Sequence, residues 1–158
     1  MNIKAFLAAP LAFLMMLVSL ALPPKAQAPD SIAQIEVRWV YLEGNTRKFK
    51  IDLARKNLWT HEGTRNENSP FGGYLFAGRL SGEKIAVFLE AAEECGFADW
   101  EGEYKCKLIM EAYWSVTVLF ADGTKRVSYG NGAGGFPEHW SEMRDAFKAL
   151  TGMDILSH

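Results

Sequence analysis

The sequence predicts an α+β domain with two layers, an antiparallel sheet carrying two helices packed on one face. Three observations lead there. Several segments alternate apolar and polar residues, the pattern of a strand with one buried face. Two later segments place apolar residues at helical spacing between capping residues. Apolar residues also make up 49% of the chain, with 10 Phe, 5 Trp and 5 Tyr, which is ample material for a core.

The first strand is expected over residues 35–41, where Ile35, Val37, Trp39 and Tyr41 face one way and Glu36 and Arg38 the other. Gly44-Asn45 supplies a turn. Phe49, Ile51 and Leu53 then alternate with Lys48, Lys50 and Asp52, completing a hairpin. A short strand is expected over 58–61, followed by the longest loop, 62–73, which is rich in Asn, Gly, Ser and Pro, and by a fourth strand over 74–78. Ser81 is the expected N-cap of a helix whose stripe is Ile85, Phe88, Leu89, Ala92 and Cys95, and Gly96 ends it. Residues 97–107 read as an irregular connection. The strongest strand signal covers 113–120, with Trp114, Val116, Val118 and Phe120 on one face and Ser115 and Thr117 opposite. Asp122-Gly123 turns the chain into a returning strand over 125–129. After a glycine-rich loop, Pro137 is expected to open a second helix bearing Trp140, Met143, Phe147 and Leu150, with Gly152 as its stop.

Residues 1–28 read as a signal peptide: Lys4, an uncharged run over 5–22, then Ala26-Gln27-Ala28 as the cut site. Residues 29–158 are then a single α+β domain of ordinary size. Pro29 opposes cleavage at that site, so cleavage after Ala21 and retention as an inner-membrane anchor stay open. No later run is long and apolar enough to span a membrane, so the expected location is the periplasm or the outside of the cell. In that oxidising setting Cys95 and Cys106 are expected to form a disulfide, closing a loop of about 12 residues at a gain of roughly 3 kcal/mol. The pair lacks the further ligands of a zinc site and the Cys-x-x-Cys spacing of a redox site.

Charge narrows the partners. The chain has 17 basic and 19 acidic residues, and removing Lys4 and Lys25 with the leader leaves 15 against 19, a net −4. That balance argues against a nucleic-acid partner held by phosphate contacts.

The string Gly130-Asn131-Gly132-Ala133-Gly134-Gly135 satisfies G-x-G-x-x-G between a strand and a helix. A dinucleotide site also needs a further parallel strand ending in an acid, for which the remaining sequence has no room, so no cofactor is expected. Asn131, Gly132, Gly134 and Gly135 are kept as a candidate binding loop whose N–H groups could face an anion or a partner's carboxylate. The competing reading is a turn that permits a close chain crossing. His61, His139 and His158 share no ligand spacing, and no metal site is expected. No serine lies in a G-x-S-x-G elbow. Glu93, Glu94, Glu101 and Glu103 cluster near Trp100 and Tyr104, which admits a carboxylate pair with sugar-stacking aromatics. In the alternative reading Trp100 and Tyr104 cap the edge of the core.

Several pieces in order resemble small exported bacterial domains of unknown function. They are Gly78-Arg79-Leu80-Ser81 before a helix, Cys95-Gly96-Phe97 followed by Trp100 and Tyr104, Trp114 to Phe120 with its Asp122-Gly123 turn, and Phe136-Pro137 with Trp140 opening a helix that ends in Leu150-Thr151-Gly152. The resemblance spans about residues 73–152 and implies an α+β module without an assigned reaction. The expected function is therefore an exported, non-enzymatic module that binds a protein or an envelope component through the sheet's exposed face, the 62–73 loop or the 130–136 loop. An inhibitor of a cationic envelope-active enzyme, such as a lysozyme, is one concrete version, with acidic side chains steering the encounter. The alternative is a small cell-envelope hydrolase using carboxylates near Glu101 and Glu103.

Overall fold

The computed structural model describes residues 31–41, 44–64, 73–100, 102–105, 112–131 and 135–154. The leader, Glu101, Cys106, Gly132, Gly134 and His158 lie outside these residues, as does most of the 62–73 loop. In chain order the elements are β1 (Ile32–Tyr41), β2 (Asn45–Asp52), β3 (Asn57–Thr64), β4 (Leu75–Arg79), α1 (Gly82–Glu94), a 3-10 turn (Phe97–Asp99), β5 (Gly102–Tyr104), β6 (Ala112–Phe120), β7 (Lys125–Asn131) and α2 (Trp140–Thr151). The fold is mixed α+β. Seven strands form one sheet in the order β4-β3-β2-β1-β6-β7-β5.

Alternation decides which residues meet at the centre of that sheet. In β1, Ile35, Val37 and Trp39 are fully buried, while Glu36 and Arg38 on the other face are half-buried. The register sets Val37 opposite Phe49 of β2 and Val116 of β6, and Trp39 opposite Trp114, so apolar side chains from three strands share one face. α2 packs there, with Phe147 edge-on to Phe49 at 5.4 Å and Trp140 4.7 Å from Trp114 between ring centres. Phe88 of α1 reaches the same cluster, 5.0 Å from Phe147. Burying each such side chain contributes about 1.5–3 kcal/mol.

The helix ends follow the capping residues. Ser81 Oγ accepts the Lys84 N–H at 3.2 Å, and Gly96, at φ 58°, takes the left-handed turn beyond Cys95. Gly152, at φ 75°, closes α2 and donates its N–H to Lys148 O at 2.8 Å.

Three expectations need correction. The sheet is not wholly antiparallel, because β5 runs parallel to β7, with Gly102 opposite Ser128 and Tyr104 opposite Gly130. The chain comes out of α1 through the 3-10 turn and reaches the free edge of β7 already pointing along it. Pro137 does not open α2. His139, at φ 58°, is the N-cap, and its carbonyl accepts the Met143 N–H at 3.0 Å to close the first turn. The third strand continues to Thr64, into the segment expected to be loop.

Candidate functional site

Gly130 and Gly135, at the two ends of the glycine-rich string, form a close crossing. Trp114 Nε1 donates to Gly135 O at 2.9 Å, and the Gly135 N–H donates to Asn131 O at 3.2 Å. A Cβ on Gly130 would lie 2.5 Å from Gly135 O and 2.8 Å from both Trp114 Nε1 and Tyr104 O. A Cβ on Gly135 would collide with Tyr104 O. Thus Gly130 and Gly135 are required by neighbouring backbone, and the Gly135 N–H has an internal partner. Of the candidate binding loop, Asn131 and Gly135 are placed in this crossing, while Gly132 and Gly134 lie outside the described residues.

Trp100 and Tyr104 belong to the same aromatic cluster. Trp100 is only 7% exposed and stacks on Trp140 at 5.8 Å, with Phe97 edge-on at 5.1 Å. Tyr104 lies 5.8 Å from Trp114. Phe136 joins them, stacked on Trp140 at 4.7 Å and on Trp39 at 6.4 Å. Trp100 is thus core material, and Tyr104, Phe136 and Trp140 are partly buried against the core. Of the candidate acids, Glu103 pairs with Lys105 at 3.0 Å, Glu93 and Glu94 are exposed on the last turn of α1, and Glu101 is not among the described residues.

The described histidines sit apart in the fold. His61 of β3 has Nδ1 2.6 Å from Gly73 O, an arrangement that makes Nδ1 the protonated nitrogen. His139 caps α2, with Nδ1 3.6 Å from Glu142. Among the described residues no three His, Cys, Asp or Glu side chains gather as metal ligands. Cys95 is a buried free thiol at the C-cap of α1. Burial pushes it above its ordinary value, and the carboxylates of Glu142 and Glu94 add to the shift. Its expected partner, Cys106, lies outside the described residues.

The sheet face turned away from α2 offers more. Ser115 opposite Tyr129 and Thr117 opposite Val127 put Val127 and Tyr129 of β7 on that face together with Tyr113 of β6. Both tyrosines are 46% exposed. Further across, Arg38, Lys48 and Lys50 flank Glu36, and the Tyr74 ring lies 5.8 Å from Lys48 Nζ. Burial raises the Tyr74 phenol well above its ordinary value, and Glu36 nearby raises it further. At the β3–β4 end Trp59 and Phe76 meet edge-on at 6.1 Å. The tyrosines have a sequence signal that is easily passed over: Tyr113 precedes the buried Trp114, so it must point outwards, and Val127 and Tyr129 alternate with the inward Ser128.

No family model matches the chain, and no curated protein or solved structure matches it either. Within the described residues no helix is long and apolar enough to cross a membrane.

Proposed function

We propose that the protein is an exported, non-enzymatic binding module, acting in the periplasm or outside the cell, that holds a protein or other envelope component on the outer face of its sheet. In this reading both helices form one layer and the opposite face is the working surface. The observation that carries it is the gathering of Tyr113, Val127 and Tyr129, all exposed, on neighbouring strands. Tyrosines in rigid strands present large amphipathic area at low entropic cost, and they are enriched at recognition surfaces. The signal-like leader supports export, and the resemblance of residues 73–152 to small exported domains points the same way. Cys95 is a free thiol in the structure, and its closure with Cys106 once the chain reaches an oxidising compartment belongs to the same proposal; two labelled thiols in each denatured exported chain would remove it.

The test is affinity capture from envelope extract with the protein and with a Tyr113→Ser, Val127→Ser, Tyr129→Ser variant, each checked for an unchanged thermal transition. A component retained by the first and lost from the second is the expected result. Equal retention by both, or a blank with both, refutes the proposal.

A further inference from the structure

We propose that the groove between α1 and α2 is a docking site for a cationic amphipathic helix of a partner protein. The groove encloses about 600 Å³. Phe88 and Leu150, both buried, form its floor, and the small side chains of Ala91, Ala146 and Ala149 leave its walls low. Val87 opens onto it and is 57% exposed, an apolar side chain left uncovered among the described residues. The lining residues recur at the spacing of a helix face, Lys84, Val87, Phe88 and Ala91 on α1 and Glu142, Asp145, Ala146 and Ala149 on α2.

Charge selects the occupant. Glu83, Glu142 and Asp145 line the rim against a single cation, Lys84. Arg144 lies 3.5 Å from Asp145 and is half-buried, while the Asp145 side chain stays 71% exposed. Glu142 accepts from the Ser141 hydroxyl at 2.9 Å, which favours its ionised form. The acids of α1 beyond the groove, Glu90, Glu93 and Glu94, are exposed as well. A cationic partner is therefore attracted before contact and paired on arrival. A second copy of this chain seated symmetrically would set acidic rim against acidic rim, which disfavours self-association.

The backbone selects the conformation. Both walls are helices whose N–H and C=O groups are satisfied internally, so an extended segment lying here would find no ladder partners. A helix brings its own hydrogen bonds and needs only apolar anchors at i, i+3, i+4 and i+7. α1 has 13 residues and so is about 20 Å long, room for three or four turns of such a helix.

The probe is a labelled peptide of about 14 residues, leucine at the anchor positions and lysine elsewhere, roughly matching the span of α1. Its control is a scrambled isomer of equal charge and composition. Anisotropy titrations use the protein expressed from its full sequence. The expected result is binding at least about tenfold tighter than that of the isomer, weakening as salt rises. Glu142→Lys with Asp145→Lys should cost about tenfold or more, and Val87→Ser severalfold; all three positions are exposed, so the fold is preserved. Equal affinity for the isomer, or binding unchanged in both variants, overturns the proposal. So does a concentration-dependent dimer abolished by Val87→Ser, which would make a second copy the occupant. The groove is distinct from the tyrosine face, so each proposal can fail without the other.

Discussion

Replacing Gly130 by Ala puts the close crossing under direct test. Gly130 lies in β7 between two neighbours, opposite Trp114 of β6 and Tyr104 of β5. A methyl group there would meet Gly135 O at 2.5 Å, and Trp114 Nε1 and Tyr104 O at 2.8 Å. Two of these three atoms are backbone carbonyls that no side-chain rotation can move. Overpacking of this kind costs about 1–3 kcal/mol. Losing the freedom of glycine in the unfolded chain offsets about 0.4–1 kcal/mol of that. The net loss is therefore about 1–2 kcal/mol, a fall in the urea midpoint of roughly 0.5–1 M for an ordinary dependence on denaturant. Tryptophan fluorescence follows the transition, since Trp114 is itself at the contact. A Trp114→Phe change alone removes the donor to Gly135 O and leaves a buried carbonyl unpaired, at about 1–3 kcal/mol. In the double variant one colliding atom is gone, so its loss should be smaller than the sum of the singles by at least about 0.5 kcal/mol. A Gly130→Ala protein as stable as the parent, or strict additivity in the cycle, would refute the crossing as described.

Other substitutions report on the core and the caps. Phe147→Ala, which strips a buried ring from contacts with Phe49, Phe88 and Phe97, should cost about 3–5 kcal/mol in urea denaturation. A loss under about 1 kcal/mol would contradict that packing. Ser81→Ala removes the acceptor for the Lys84 N–H and should lower stability by about 1 kcal/mol, whereas Ser81→Gly should cost only a few tenths. Tyr74 gives a pH dependence with a defined sign. Its phenol is raised in the fold, so the folded state holds the proton longer than the unfolded chain, where tyrosine titrates near 10. The stability from that difference is intact below pH about 10 and declines as the pH rises above it. Urea midpoints measured across that range should fall more steeply for the parent than for Tyr74→Phe. Parallel slopes would dispose of the assignment.

Much of the architecture was legible because it is written locally. The alternation in β6 and β1, the Ser81 cap and the stops at Gly96 and Gly152 each depend on a few adjacent residues. What could not be read depends on distant ones. β5 is only Gly102–Tyr104, too short to show a period, and its direction follows from where the chain leaves α1. The start of α2 turned on the left-handed conformation of His139, which a proline two positions earlier does not signal. The glycine loop satisfied a nucleotide fingerprint in letters alone. The need for glycine at 130 and 135 came from Trp114 and Tyr104, brought to them by strand pairing. The outward tyrosines and the acidic groove were present in the sequence as residue types, but neither surface exists until the register and the helix contacts assemble it.

Net charge conceals the most useful electrostatic feature. A chain of net charge −2 suggests mild acidity everywhere, whereas the structure divides the charges. The helices carry Glu83, Glu90, Glu93, Glu94, Glu142 and Asp145 against Lys84, Arg144 and Lys148, with the acidic excess on α1, whereas Arg38, Lys48 and Lys50 lie on the outer face of the sheet around Glu36. Screening acts over about 8 Å at physiological salt, so a partner approaching one side responds mainly to that side. Steering of a cationic enzyme by acidic side chains, the concrete version of the inhibitor reading, therefore belongs to the helices and not to the tyrosine face. The two surfaces should also differ under salt. Association at the helix groove should slow markedly as ionic strength rises, while binding at the tyrosine face, carried by aromatic burial, should change little. An association rate at the groove that is indifferent to salt would mean that its acidic rim does not recruit the partner.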